Sequence, residues 1–211
     1  MVEIHQRLIA TGSKLLIVDF DLTPSQGRNL EKALDVKVVD RTELILDIFC
    51  TRAHTNQAKL QVELAQQEYM KSRLKRMWTH LERTEGAIGT RGPGETQLET
   101  DRRLVAKKIS DLKKRLSCIA VRSRQRAEGR LDPHTISLVG YTNAGKSTLL
   151  TKLSGSKTFV ADQLFATLDT KLRYWKLRDK RTLMLADTVG FVRDLPHHLV
   201  ASFHATLEET V

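Results

Sequence analysis

The sequence predicts an α/β protein in three parts, of which the last is the first half of a parallel-sheet nucleotide-binding domain. A glycine-rich motif lies between a strand-type and a helix-type segment at Gly140–Ser147, and a second short motif follows an apolar run at Asp187–Gly190. Two stretches with coiled-coil spacing precede them. We therefore divide the chain into a partial α/β domain (1–52), a helical hairpin (53–131) and half of a nucleotide domain (132–211).

The first motif has the pattern of a phosphate loop. Gly140–Ser147 fits G-x-x-x-x-G-K-S, with the β-type run Thr135–Val139 before it and the start of a helix after it. Such a loop points backbone N–H groups and a helix dipole at one anion. Lys146 would reach the β- and γ-phosphates, and the Ser147 hydroxyl would bind Mg²⁺. The alternative is a turn that binds nothing, and the flanks count against it. The predicted nucleotide contacts are Gly140, Tyr141, Thr142, Asn143, Ala144, Gly145, Lys146, Ser147 and Thr148.

The second motif is D-x-x-G at a predicted strand end. After the apolar run Arg181–Ala186, Asp187 would hold Mg²⁺ and the Gly190 N–H would meet the γ-phosphate, with Thr188 and Val189 between them. Phe191 follows, where Ras-like enzymes place a water-orienting glutamine. A phenyl ring cannot orient water by hydrogen bonding, so we expect slow hydrolysis.

The segment between the two motifs contains a candidate residue for a further contact with the metal and the γ-phosphate. Within Leu164–Asp169, Thr167 could contact both Mg²⁺ and the γ-phosphate, although Thr170 or Thr158 could be argued instead. The further predicted nucleotide contacts are Phe165, Ala166, Thr167, Leu168 and Asp169. Together with the two motifs, this gives Ser147, Thr167 and Asp187 as metal ligands and Lys146, Thr167, Asp187 and Gly190 as catalytic residues.

Positive charge is concentrated in the middle of the chain. Residues 53–131 hold 18 basic and 9 acidic side chains, a net of +9, whereas residues 1–52 carry −1 and residues 132–211 carry +2. A basic block of this kind favours contact with a polyanion such as nucleic acid. A solvated helical face is the equally open alternative.

The middle segment also predicts two helices that pack along an apolar seam. Positions alternate by steps of four and three, which is typical of an antiparallel pair of coiled-coil-like helices. A glycine-rich stretch from Gly86 to Gly94 separates them and would form an exposed tip that carries Arg91. The seam positions are Leu60, Leu64, Gln67, Lys71, Leu74, Trp78 and Leu81, then Val105, Ile109, Leu112, Leu116 and Ile119. We interpret Trp78 and Tyr69 as packing residues.

The first segment reads as a small α/β unit. Lys14–Phe20 and Val36–Val39 are strand-like, Thr23-Pro24 is typical of a capped helix start, and Glu43–Phe49 could be helical. The apolar runs are too short to span a bilayer, and the first residues lack a signal-peptide core. The two cysteines, Cys50 and Cys118, have no metal-like or redox-like spacing.

Several strings in the chain closely resemble the HflX family of ribosome-associated GTPases. They are GYTNAGKSTL, LFATLD, DTVGFVRDLPHHLVASFHATLEET and RGPGETQLETDRR, and LTPSQGRNLEKALDVKVVDRTELILDIF is similar to that family's amino-terminal domain. The resemblance implies a Ras-like P-loop GTPase domain that binds GTP or GDP with Mg²⁺ and hydrolyses GTP slowly. It also implies a cytoplasmic, monomeric protein that binds the large ribosomal subunit and splits stalled ribosomes under stress.

The chain departs from the family pattern in places. Thr170-Lys171 stand where the family usually has Pro-Thr, and no Asn-Lys-x-Asp follows, so guanine specificity cannot be read from these residues. We expect a chain truncated at both ends, with poor turnover. Two alternatives therefore remain: a non-catalytic ribosome- or RNA-binding fragment with an incomplete nucleotide domain, and an ATPase of the same layout.

Overall fold

The computed structural model describes residues 1–77, 93–128, 134–155, 171–177 and 181–191. The chain divides into two compact units. One comprises Met1–Asp47 with Tyr69–Lys107, and the other comprises Ile48–Glu68 with Lys108–Val211. The three-part division drawn from the sequence stays a prediction.

The first unit is built around two parallel strands. In chain order it contains α1 (Val2–Thr11), β1 (Leu15–Val18), α2 (Pro24–Leu34) and β2 (Lys37–Asp40), and α3 (Arg41–Arg52) follows directly. Leu15 pairs with Lys37 and Val18 with Asp40, so both strands end at the same edge. The α2 helix makes the connection that parallel strands require. Core side chains include Leu34, Val38 and Val39.

Local sequence signals explain the bounds of α2. The Thr23 hydroxyl accepts from the Gln26 N–H, and the Gln26 side chain accepts in return from the Thr23 N–H at 2.9 Å, a reciprocal capping box. Pro24 occupies the first helical position, where its missing N–H is harmless. Asp35 then ends the helix in the left-handed conformation, with φ at 52°. The predicted helix start is therefore confirmed.

Two long helices carry the basic middle of the chain. They are α4 (Asn56–Met77) and α5 (Pro93–Glu128). Exposed ion pairs join them, from Lys108 to Glu63 at 2.9 Å and from Lys113 to Glu68 at 2.8 Å. The seam residues Leu60, Leu64, Ile109 and Leu112 are buried, as the spacing predicts. Lys71, which the spacing places on the same seam, is exposed, because its charged group stays in water.

The start of α5 differs slightly from the sequence expectation. Pro93 and Gly94, taken as part of the helix-breaking tip, form the first turn of the helix. Proline is tolerated there because the first N–H groups of a helix have no intrahelical acceptor. Trp78 and Arg91 lie outside the described residues.

The second unit contains a three-stranded sheet. Its strands are β3 (Thr135–Leu138), β4 (Lys171–Lys176) and β5 (Thr182–Asp187), in the order β3-β5-β4, and α6 (Lys146–Ser154) follows β3 in the chain. β3 and β5 are parallel, with Leu138 opposite Asp187, which brings the ends of both strands together. Leu150 of α6 and Leu185 and Ala186 of β5 are buried.

One strand of this sheet is antiparallel to its neighbour. β4 pairs with β5 in antiparallel register, so the sheet is mixed. The Leu177 N–H donates to the Arg181 carbonyl at 2.8 Å, and so short a connection permits only an antiparallel pair. The sequence reasoning identified β1, β2, β3, β5 and the α2, α3 and α6 helices, and missed α1 and β4.

Candidate nucleotide-binding site

The phosphate loop joins the end of β3 to the start of α6, as the motif predicts. Gly145 has φ at 85°, a left-handed conformation that a side chain would strain, and its carbonyl accepts the first helical bond from the Leu149 N–H. Asn143 is also left-handed, with φ at 61°. The loop therefore turns sharply and leaves the first N–H groups of α6 facing its mouth, where an anion is favoured.

Lys146 lies across the loop. Its Nζ donates to the Gly140 carbonyl at 3.0 Å and to the Tyr141 carbonyl at 2.6 Å. Burial lowers the pKa of the Lys146 ammonium, and the nearby Asp187 carboxylate offsets part of that change. The cation is thus held beside the loop by two backbone oxygens, which a phosphate can replace as its partner.

The two motifs meet at Ser147 and Asp187. Asp187 ends β5 and is fully buried, and its Oδ2 accepts a 2.5 Å hydrogen bond from the Ser147 hydroxyl. A hydroxyl and a carboxylate in contact are hard oxygen donors of the kind that Mg²⁺ prefers. These residues therefore fit a magnesium ion at this position.

The D-x-x-G segment is bound to the phosphate loop through the backbone. The Thr142 N–H donates to the Phe191 carbonyl at 2.8 Å, and the Phe191 N–H donates to the Gly140 carbonyl at 3.0 Å. Thr188, also buried, donates from its hydroxyl to the Leu138 carbonyl at 2.8 Å. Three contacts thus fix the direction in which the segment leaves β5.

Gly190 lies directly against Thr142. A Cβ built on Gly190 would be 2.6 Å from the Thr142 Cα and 2.7 Å from its nitrogen, closer than real contacts allow. The sequence reasoning assigned Gly190 for its N–H alone. The structure adds that no side chain fits at this position, because Thr142 lies against the α-carbon. In the sequence, the glycine itself is the one sign of this requirement.

An open cavity accompanies the loop. It has a volume of about 440 Å³ and is lined by β3, the phosphate loop and α6. The lining residues include Gly140, Gly145, Lys146 and Leu149, so the cavity opens beside the lysine. A space of this size suits a small-molecule ligand.

The structure brings together most of the predicted site residues. Gly140 to Thr148 and Asp187 to Gly190 all lie around the junction of β3, β5 and α6. Thr167 and its neighbours Phe165, Ala166, Leu168 and Asp169 lie outside the described residues. Their predicted roles stay predictions.

This arrangement defines a class of protein. A strand, a G-x-x-x-x-G-K-S loop and a helix, with D-x-x-G on the adjacent parallel strand, are the parts of a phosphate-loop nucleoside triphosphatase. Three sequence families match the chain. They are described as "GTP-binding GTPase N-terminal" (residues 1–50), "GTP-binding GTPase Middle Region" (52–130) and "50S ribosome-binding GTPase" (135–211).

Curated relatives agree with these matches. GTPase HflX of Escherichia coli strain K12 is 54% identical over 211 residues, which are 99% of this chain and 50% of that protein. GTPase HflX of Magnetococcus marinus is 51% identical over 99% of the chain and 49% of the relative. The chain belongs to the HflX GTPase family, and it spans about half the length of these relatives.

Solved structures give the same assignment for the fold. A GTP-binding protein from Sulfolobus solfataricus in complex with GDP matches with a TM-score of 0.50 and 25% identity, over the whole chain and 54% of that protein. A structure titled as a complex of SsGBP and GDP matches with a TM-score of 0.54 and 26% identity, over the whole chain and 56% of that protein.

Proposed function

We propose that this chain forms the phosphate-binding part of a GTPase that binds GTP and GDP with Mg²⁺. The contact between Ser147 and Asp187, beside Lys146, carries the proposal. The contact supports the proposal because a hydroxyl, a carboxylate and a cation are the groups that the metal and phosphates of a nucleotide require. Ser147 and Asp187 would hold Mg²⁺, which would supply positive charge against the negative charge that develops during phosphoryl transfer. Thr167 would complete this site.

Hydrolysis is slow in this proposal. Phe191 follows the D-x-x-G glycine, and its contacts with the phosphate loop are made by its backbone N–H and carbonyl. Its side chain has no group that can orient a water molecule by hydrogen bonding, which is the role glutamine has in Ras-like enzymes. A partner or another side chain must therefore complete the catalytic arrangement.

The proposed partner is the large ribosomal subunit. One matching family is described as a 50S ribosome-binding GTPase, and residues 53–131 carry a net charge of +9. On α5, Lys114, Arg115 and Arg122 are exposed. Cations on one helix suit the phosphates of ribosomal RNA. We propose that the protein binds there with its basic helices and glycine-rich tip as a cytoplasmic monomer, and that it splits stalled ribosomes.

The nucleotide proposal is tested on a completed protein, in which residues 1–211 are joined to the parts of the E. coli relative that this chain does not span. Calorimetric titration with GTP and with ATP, each with Mg²⁺ and with EDTA, measures base preference and metal dependence. Tight Mg²⁺-dependent binding of GTP, with ATP weaker by at least about tenfold, is the expected result. Equal affinities would favour an ATPase of the same layout.

The ribosome proposal needs a separate measurement, because a basic helical pair could bind RNA without any catalysis. Co-sedimentation of the completed protein with large subunits measures binding, and phosphate release with and without subunits measures stimulation. Binding accompanied by stimulated GTP hydrolysis supports the proposal. Binding without any turnover would favour a non-catalytic ribosome- or RNA-binding role.

A further inference from the structure

The carboxylate of Asp40 joins three elements of the first unit. Asp40 ends β2 and is 2% exposed. Its Oδ1 accepts from the Glu43 N–H at 2.9 Å, which caps the start of α3, and from the Tyr69 hydroxyl at 2.9 Å. Its Oδ2 accepts from the Leu22 N–H at 3.3 Å and from the Arg73 guanidinium. One buried side chain therefore contacts the β1–α2 connection, α3 and α4.

The donors on α4 support each other. Tyr69 and Arg73 are one helical turn apart, and the Arg73 guanidinium carbon lies 4.3 Å from the centre of the Tyr69 ring, a cation–π geometry. Arg73 also approaches the Leu22 carbonyl at 3.5 Å. Burial and the Asp40 carboxylate raise the pKa of the Tyr69 phenol, so its proton stays in place as the donor. Tyr69 and Arg73 therefore bind the Asp40 carboxylate through two donors that also hold each other in place.

A buried polar network of this kind contributes more to the relative positions of the elements that it joins than to the free energy of unfolding. The desolvation of two buried charges largely cancels their attraction, so an apolar replacement of similar shape often leaves stability unchanged. Hydrogen bonds are directional, however, whereas apolar contacts tolerate small shifts. Compared with apolar residues of similar shape at all three positions, Asp40, Tyr69 and Arg73 should therefore specify the position of α4 more than they raise the free energy of unfolding.

We propose that Asp40, Tyr69 and Arg73 form a positioning lock that fixes the Tyr69–Met77 segment of α4 against the β1–α2–β2 unit. In the chain this segment precedes residues 78–92, which include most of the glycine-rich tip that begins at Gly86. Where the tip contacts the ribosome, as in the function proposed above, the lock sets the position of the end of α4 that precedes the tip in the chain. The three are positioning residues, because none of them lies at the nucleotide site.

The lock is tested first without any ligand or ribosome. Spin labels are placed at the exposed positions Ala33 of α2 and Lys71 of α4, after the exposed Cys50 and Cys118 are replaced by serine. Pulsed electron double resonance then gives the distribution of distances between the labels. We expect a narrow distribution in the parent chain and one at least about twofold broader in Tyr69→Phe/Arg73→Met.

A matched control separates the lock from a general effect of losing an ion pair. Lys108→Met breaks the exposed pair with Glu63 and should leave the distribution narrow. Circular dichroism should show that all variants are folded, whereas urea unfolding should have a lower midpoint in the double variant, because Asp40 stays buried without its cation. A narrow distribution in the double variant overturns the proposal. If the double variant does not fold, Tyr69→Phe alone decides it, because that change keeps the ring and removes one hydrogen bond.

The second measurement rests on the proposed function. In the completed protein, Tyr69→Phe/Arg73→Met should lower subunit-stimulated GTP hydrolysis by roughly tenfold, because a misplaced contact group is costly, while nucleotide affinity stays unchanged. A broadened distance distribution with unchanged stimulation would keep the lock and reject its link to the ribosome. A narrow distribution rejects the lock whatever the ribosome assay gives.

Discussion

The Ser147 hydroxyl donates a 2.5 Å hydrogen bond to the buried carboxylate of Asp187, although the two residues are 40 positions apart in the chain. Parallel pairing of β3 with β5 produces this contact, because it sets the end of β5 beside the start of α6. In place of this hydrogen bond, the Ser147 hydroxyl and the Asp187 carboxylate would both hold Mg²⁺. Four predictions follow from this site and from the basic helices.

Ser147→Ala should remove most of the metal dependence of nucleotide binding, because one of the proposed oxygen donors to the metal is lost. In the completed protein, calorimetry gives the ratio of GTP affinities with Mg²⁺ and with EDTA, and we expect this ratio to fall by about tenfold or more. Thr151→Ala is the control, since that hydroxyl bonds the Ser147 carbonyl within the helix. An unchanged ratio in Ser147→Ala would reject the metal assignment.

Gly190→Ala should disrupt the contact between the two motifs, because its methyl group would lie 2.6 Å from the Thr142 Cα. The hydrogen bond from the Thr142 N–H to the Phe191 carbonyl must then break or shift, at a cost of about 1–3 kcal/mol of overpacking. Gly140→Ala is the matched control, since its methyl would meet the Lys146 Cδ at an ordinary 3.8 Å. Hydrogen exchange of the Thr142 and Phe191 amides measures the difference. Equal protection in both variants would contradict the prediction.

The Lys146 ammonium should lose its proton below the ordinary lysine pKa of 10.5, because burial lowers its pKa. Between the lowered value and 10.5 the unfolded chain holds a proton that the folded chain lacks, so the free energy of unfolding rises with pH in that window. Phosphate affinity should fall over the same window, because the cation is lost. Lys146→Met should flatten both profiles, whereas the exposed Lys152→Met should preserve them. Superimposable profiles for parent and Lys146→Met would refute the prediction.

Exposed cations of α5 should differ in their effect on ribosome binding. Lys114 and Arg115 are exposed, whereas Lys108 and Lys113 already contact Glu63 and Glu68. Lys114→Ala/Arg115→Ala should therefore reduce the salt slope of large-subunit binding by about two, and Lys108→Ala/Lys113→Ala by less than about one. Co-sedimentation across a salt series measures both slopes. Equal slopes for the two pairs would indicate that the ion pairs do not withhold charge from the RNA.

The sequence by itself determined the features that depend on neighbouring residues. The phosphate loop, its strand and its helix lie within Thr135–Ser154, and the Thr23 capping box is contained in four residues. Apolar spacing located the buried seam residues of α4 and α5 for the same reason. Signals of this kind depend on residues that are a few positions apart, so they can be identified from a single sequence.

Tertiary structure alone decided the contacts between distant segments. Nothing near Asp40 in the sequence indicates that Tyr69 and Arg73 meet it, and nothing near Gly190 indicates that Thr142 lies against its α-carbon. The β4 strand was missed although Leu172 and Tyr174 alternate with basic residues, a period-two pattern that is typical of a strand. Pairing with β5 stabilises it. Long-range pairing and close packing depend on which surfaces meet after folding, and local sequence patterns do not specify which distant segments come into contact.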